Sequence, residues 1–286
     1  MVTCATVPTD PALSWSRGPV FRWRGRDSPT AWSMSSSVGG MQGPTRAHLV
    51  ANARFHDTDY ARLQLLTLLG EFPDVRTTVS QTFGDLDNLA ESDFLITYTC
   101  DLRPTAEEEA ALHDFVASGK RWIALHATNA LLDFTPKGVK CAPGHDTFME
   151  TMGSRFIAHP RIEPYTVEIS DADHPLVAGI DAFEANDELY LCHYYGDVHP
   201  LLETRFTGTF SSGYIDNDWP DDEARLVAYT HPVGDGEVYY LTLGHCCGAH
   251  DMRPIQDVAE VVRGSWENPT YIELLRRGLR WAQRTL

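Results

Sequence analysis

Past Arg46 the apolar residues fall alternately into short strand-like runs and into helical periods, which predicts a parallel sheet covered by helices on both faces, a doubly wound α/β fold. A first strand over residues 48–53 leads into Phe55-His56-Asp57, and the helix after it is expected to pack with Tyr60, Leu63, Leu66 and Leu69 on one side. Residues 75–79 and 93–98 read as the second and third strands. Thr105 and Glu108 then form a capping box, the threonine closing the helix start while the glutamate reaches back to its N–H, and that helix should stop at Gly119. A fourth apolar run, Arg121–Leu125, ends at His126. Residues 134–196, rich in His-Pro and Asp, read as a long excursion with short strands such as 165–169, and excursions of this length usually carry function. Around Gly234-Asp235-Gly236, residues 226–230 and 237–243 make a hairpin whose second strand is nearly all apolar and therefore central. Asn268-Pro269 is a good cap and first-turn pair for a last helix with Tyr271, Leu274, Leu275 and Gly278 on its packing face.

Residues 1–45 break the pattern. They hold Trp15, Trp23 and Trp32, a serine run at 33–37 and a Gly-Gly-Met-Gln-Gly-Pro stretch, with no sustained period. We expect a flexible tail or an over-extended start, Met34 and Met41 being alternative starts, followed by one domain over 46–286. The tail's four arginines against two acids could also form a binding arm. The remainder then carries 38 acidic against 19 basic residues within a total net charge of −17. Such a field repels phosphate backbones and anionic lipid, so nucleic acid and membranes are not expected partners. No apolar run approaches the ~20 residues that cross a bilayer. The six cysteines show neither C-x-x-C spacing nor a disulfide framework, which fits a reducing, cytoplasmic compartment. A homodimer is compatible with all of this, and the oligomeric state stays open.

In an open α/β sheet, ligands bind beyond the carboxyl ends of the strands. Polar residues recur there: His56 and Asp57 after the first strand, Thr99, Cys100 and Asp101 after the third, His126 after the fourth, Gly244-His245 after the last. His159 and His174 each precede proline and suit turns, although His159 remains a substrate-binding candidate. Asp187 and Glu188 could face solvent, yet Glu188, before Leu189-Tyr190, is placed to reach a cleft. Tyr190, Tyr194, Tyr195 and Tyr214 suit core packing or stacking on a sugar ring. The acidic run 216–223 reads as a solvated loop anchored by Trp219-Pro220.

Arg54-Phe55-His56-Asp57, Ala124-Leu125-His126-Ala127, the run from Met152 to Pro160, Asp173-His174-Pro175-Leu176, Asp187-Glu188-Leu189-Tyr190 and Leu243-Gly244-His245 resemble, in that order, the motifs of the ThuA-like (trehalose utilisation) family. The resemblance spans Arg46 to Trp281. It implies a flavodoxin-like core of the class I glutamine amidotransferase type, a place in the catabolism of trehalose and other sugars, and action on oxidised (keto) sugars. In that superfamily a nucleophilic cysteine stands at the turn after a strand and its histidine partner ends a later strand. Here His126 stands at the cysteine position and His245 at the partner position, so glutaminase chemistry is not expected.

Two imidazoles and a carboxylate suit proton transfer next to a carbonyl, or a divalent metal that polarises one. His126, His245 and Glu188 are the expected catalytic groups, with His56, Asp57, Asp101, His159 and Tyr190 binding substrate. His56, His126, Glu188 and His245, with His250 and Asp251 close behind, supply N and O donors for a zinc-like site. The leading expectation is an isomerase or hydrolase acting on a trehalose-type or keto-sugar substrate. The alternatives are a sugar-binding or sensing module and, last, hydrolysis by a relocated cysteine.

Overall fold

The computed structural model describes residues 43–286. The expectations for residues 1–42 lie outside the described residues, and the first strand already begins at Thr45. In chain order the elements are β1 (Thr45–Ala53), α1 (Thr58–Leu69), β2 (Val75–Ser80), α2 (Leu86–Glu91), β3 (Phe94–Cys100), α3 (Ala106–Ala117) and β4 (Arg121–Leu125). The excursion holds β5 (Leu132–Thr135), β6 (Gly138–Cys141), α4 (Asp146–Met152), β7 (Ser154–Ala158), β8 (Glu163–Ile169), β9 (Phe183–Asp187) and β10 (Leu191–Tyr194). The chain closes with β11 (His199–Arg205), β12 (Gly208–Thr209), β13 (Asp218–Trp219), β14 (Ala224–Val233), β15 (Gly236–Leu241) and α5 (Pro269–Ala282).

The main sheet runs β2-β1-β3-β4-β15-β14-β11-β8-β9. Its first five strands are parallel and, counted along the chain, lie in the order 2-1-3-4-5 of flavodoxin-like folds. The other four are added antiparallel, so the sheet is mixed, and two strands of the presumed excursion are part of it. The largely apolar β15 sits at the centre, and its last four residues, Val238–Leu241, are buried. The expected capping box of α3 is formed in both directions. Asn268 caps α5, whose Tyr271, Leu274, Leu275 and Gly278 are buried. Gly278 lets α5 sit low on the sheet, since a Cβ there would stand 3.0 Å from the Tyr239 ring.

Helix α1 corrects one expectation. Ala61, Leu65, Leu68 and Leu69 are its buried residues, while Leu63 is 60% exposed. A strict three-residue step drifts by about 60° per step on a 3.6-residue helix, so Tyr60, Leu63, Leu66 and Leu69 fan around half the circumference and cannot share a face. The acidic run 216–223 also differs in part: β13 within it pairs with β12, and Arg225 lies over the Trp219 ring at 5.0 Å.

Alternation of direction from β15 through β14, β11 and β8 makes β9 run the same way as the parallel strands, so Glu188 follows a carboxyl end on the same sheet edge as His126. Four steps of about 4.8 Å along a flat sheet would nevertheless leave β9 about 19 Å from β15. Yet the Asp187 carboxylate accepts a hydrogen bond from Gly244 N at 2.8 Å, so the end of β9 meets the loop that follows β15. Strand β8 joins β11 through a pairing only two residue pairs long. Among the described residues no helix is long and apolar enough to cross a membrane.

Candidate active site

Four of the five parallel strands leave the sheet through a backbone in the left-handed region: Phe55 (φ 68°) past β1, Asp101 (53°) after β3, His126 (49°) after β4 and Gly244 (128°) past β15. Non-glycine residues held this way each cost on the order of 1 kcal/mol or more, and such strain concentrates at functional sites. At His126 it makes the sharp turn from strand into the short 3-10 helix His126–Asn129. The turn lifts the imidazole off the end of β4, and the Tyr240 hydroxyl donates to the His126 carbonyl from below. Gly244 is required for a different reason: a Cβ there would stand 2.6 Å from the Tyr271 hydroxyl.

These turns bring His56, His126, Glu188 and His245 together, one N or O donor from each lying within 4.8 Å of the others, all buried. His126 Nδ1–H donates to the Thr242 carbonyl at 2.8 Å, and His56 Nδ1–H to the Arg54 carbonyl at 2.7 Å. A carbonyl only accepts, so both rings keep their hydrogen on Nδ1 and turn their Nε2 atoms toward each other, 2.8 Å apart. The Tyr190 hydroxyl reaches His126 Nε2 at 3.3 Å. Glu188 spans the group, with Oε2 3.5 Å from His126 Nε2 and Oε1 3.1 Å from His245 Nδ1 and 3.4 Å from His159 Nε2.

Burial and charge split the protonation states. Burial, aided by the charge of His245, takes the His56 pKa down to about 4. Burial and His56 together hold His126 well below the ordinary imidazole value. Burial also opposes charge on His245, but the Glu188 carboxylate outweighs it and the net shift is upward. For Glu188 burial favours the acid, yet the charges of His159, His245 and His126 hold its carboxyl well below the usual range. The site thus contains a carboxylate, an imidazole biased toward imidazolium and two imidazoles biased toward neutrality.

Asp187, which could have faced solvent on sequence grounds, is 1% exposed. Its carboxylate accepts from the backbone N–H of Gly244, His245 and Glu188 at 2.8, 3.1 and 2.8 Å, tying the loop after β15 to the end of β9. Asp57 points away from the cluster: it caps α1 through Tyr60 N and pairs with Arg263 at 2.8 Å. Asp101 is likewise committed, receiving Leu132 N, Arg54 and Arg103. His250 bonds the Asp257 carbonyl and Asp251 the Gly248 N–H, so neither joins the donor set, because the chain turns outward after Cys247. Tyr194 packs on Tyr229 in the core, whereas Tyr190 and Tyr214 line the site.

His126 is fully buried behind His56, while the other three members of the cluster, His56, Glu188 and His245, line a cavity of ≈400 Å³. His159 and Ser212 add polar atoms to its lining, but Ser212 already donates to the His159 carbonyl. Most of the wall is apolar: Phe55, Phe134, Phe156, Met252, Ile255 and Val262. Sequence reading missed this wall, whose members come from four stretches of chain, around 55, 134, 156 and 252–262, and share no local period. Cys100 and Cys247 also line it, but burial raises both thiols above their ordinary pKa, against thiolate chemistry.

A parallel core in the order 2-1-3-4-5, with a buried imidazole at the sharp turn after its fourth strand and a His-Glu cluster at the strand ends, defines the class. The chain belongs to the ThuA family, whose model, described as trehalose utilisation, matches residues 49–282. Among solved structures it is similar to a putative ThuA-like protein from Parabacteroides merdae, at 14% identity and TM-score 0.57, over 85% of this chain and 91% of that one. It also resembles part of a β-galactosidase from Rahnella sp. R3, at 13% identity and TM-score 0.51, over 85% of this chain but 32% of that longer one. A glutamine amidotransferase from Thermotoga maritima aligns at 10% identity and TM-score 0.47, over 84% and 99% of the two chains. No curated protein matches the sequence. The family places the chain in sugar metabolism.

Proposed function

We propose that the chain is an enzyme that moves a proton next to the carbonyl of an oxidised sugar, and that the sugar carries an apolar substituent. The observation that carries this reading is that His56, Glu188 and His245 of the His-Glu cluster line a cavity whose wall is mostly apolar. His245, biased toward the imidazolium by the Glu188 carboxylate, is the group to hydrogen-bond and protonate the carbonyl oxygen. The His56–His126 pair, both rings biased toward neutrality and each held by its Nδ1 bond to a backbone carbonyl, accepts the proton from the adjacent carbon through His56, the member that lines the cavity. The enediol so formed has two exits. Return of the proton to the neighbouring carbon gives an isomer; expulsion of an oxygen substituent one carbon further breaks a glycosidic bond, and addition of water completes hydrolysis.

The apolar wall bears on the substrate. An unmodified disaccharide would bring hydroxyls against Phe134, Met252 and Ile255, and each hydroxyl buried without a partner costs about 1–3 kcal/mol. An aryl or alkyl group places carbon there instead. The test is a panel of oxidised and ordinary glycosides incubated in D2O. Deuterium next to the carbonyl or release of the aglycone is expected with the oxidised members only, falling about 10²-fold or more in His126→Gln and His245→Gln, with melting temperature held. Tight binding with neither exchange nor release would replace this reading with that of a sugar-binding module.

A further inference from the structure

The geometry between His56 and His126 is incomplete as it stands. Each ring has its hydrogen committed to a backbone carbonyl through Nδ1, so two Nε2 lone pairs face each other at 2.8 Å inside the protein. Lone pairs at that distance repel unless a positive charge lies between them or beside both. A shared proton would satisfy this pair alone and leave the other two members of the same cluster, Glu188 and His245, outside the arrangement. A third imidazole is also unsatisfied. His245, 5% exposed, lies 3.1 Å from Glu188 through Nδ1, yet in a direction that leaves this atom without a hydrogen-bond partner.

We propose that His56, His126, Glu188 and His245 together hold one divalent first-row cation of the zinc type. The proposal rests on the site described above and deepens the functional reading without depending on the identity of the substrate. Three imidazole nitrogens and one carboxylate oxygen are a donor set for zinc and its neighbours, and not for calcium or magnesium, which take oxygen. The backbone carbonyls of Arg54 and Thr242 supply the outer contacts that fix a ligating histidine's tautomer and aim its other nitrogen. On a tetrahedral ion with bonds of about 2.0–2.1 Å, two nitrogens stand about 3.3 Å apart, so His56 and His126 need to separate by about half an ångström. Glu188 removes one of the two charges, and the cavity leaves a further position open toward the substrate.

A cation there would polarise the carbonyl, the part given above to the His245 imidazolium. His159 then becomes the imidazole of the cavity outside the ligand set, 3.4 Å from Glu188 and facing the same space. With the cation bound it takes over from the His56–His126 pair the part of proton carrier.

The test is titration of the chelator-treated full chain with Zn²⁺ by calorimetry and with Co²⁺ by visible absorption. We expect one equivalent per chain, d–d bands of a four- or five-coordinate ion, and a rise in melting temperature with metal. Glu188→Gln and His126→Gln should weaken binding by 10²-fold or more. His56→Gln serves as the third variant should His126→Gln fail to fold, and His250→Gln should bind as the unchanged chain does. Absence of stoichiometric binding at micromolar free Zn²⁺ overturns the proposal, as does binding unaffected in the folded ligand variants. Turnover of an oxidised glycoside by metal-free protein would remove the cation and leave the proposed function standing. One tightly bound ion with no turnover on any oxidised sugar would do the reverse.

Discussion

At the residue scale the protein depends on histidines that are buried and held neutral. His48 bonds Thr78 at 2.8 Å, and His231 bonds the Glu150 carbonyl at 3.0 Å; burial lowers both pKa values, against raising contributions from nearby acidic or carbonyl groups. A base with a depressed folded pKa binds fewer protons folded than unfolded, so its contribution is fully present above the unfolded value of about 6.5 and is lost as pH falls through the folded one. Urea midpoints should therefore drop from pH 7.5 to pH 5.5. Relative to the unchanged chain, His48→Gln and His231→Asn should flatten that drop. Both lie outside the site, whose own His56 and His126 act in the same direction. An unchanged slope in both variants would show that these two rings do not titrate with folding.

At the element scale, local signals that satisfy themselves within a few residues were readable. Thr105 and Glu108 close the start of α3, with Thr105 Oγ1 accepting from Glu108 N at 3.3 Å and Glu108 Oε2 accepting from Thr105 N at 2.7 Å. Thr105→Ala should lower stability by about 1 kcal/mol, read as a shift of the urea midpoint at unchanged slope, with binding at the distant cluster unaltered. A loss within error would mean that tertiary contacts hold the helix end without its cap. The α1 face was misread because an i+3 row of leucines looks like a stripe but turns away from the sheet as it proceeds. The β8–β9 pair was not recognised as part of the main sheet because its strands are half exposed and alternate, with none of the apolar density of β15.

At the scale of the whole molecule, the cavity mouth exposes apolar side chains that a solvated surface would not favour. Phe134 is 45% exposed and Ile255 60%, and both line the space in front of the cluster. For a series of oxidised glycosides, lengthening an alkyl aglycone should tighten binding by about three- to fourfold per methylene buried, corresponding to about 0.8 kcal/mol each. Phe134→Ser and Ile255→Ser should remove that dependence while leaving affinity for the smallest member unchanged. Equal affinity across the series, or tighter binding of an unmodified disaccharide, would show that the wall does not select the substituent.

What the sequence determined by itself was whatever short-range pattern carries. It placed the parallel strands, the capped helices and the histidines just beyond the strand ends, because strand and helix periods and caps are local, and because parallel strands deliver their carboxyl ends to one edge. That rule sufficed for His56, His126 and His245. It could not settle Asp57 and Asp101, which occupy the same kind of position but turn aside to Arg263, Arg54 and Arg103, partners 206, 47 and 2 residues away. Tertiary structure alone decided the delivery of Glu188, since that required Asp187 to lock the end of β9 against Gly244 and His245. It alone decided the apolar wall and the protonation states as well, because burial and the charge of neighbours distant in the chain are properties of the packed molecule and of no segment within it.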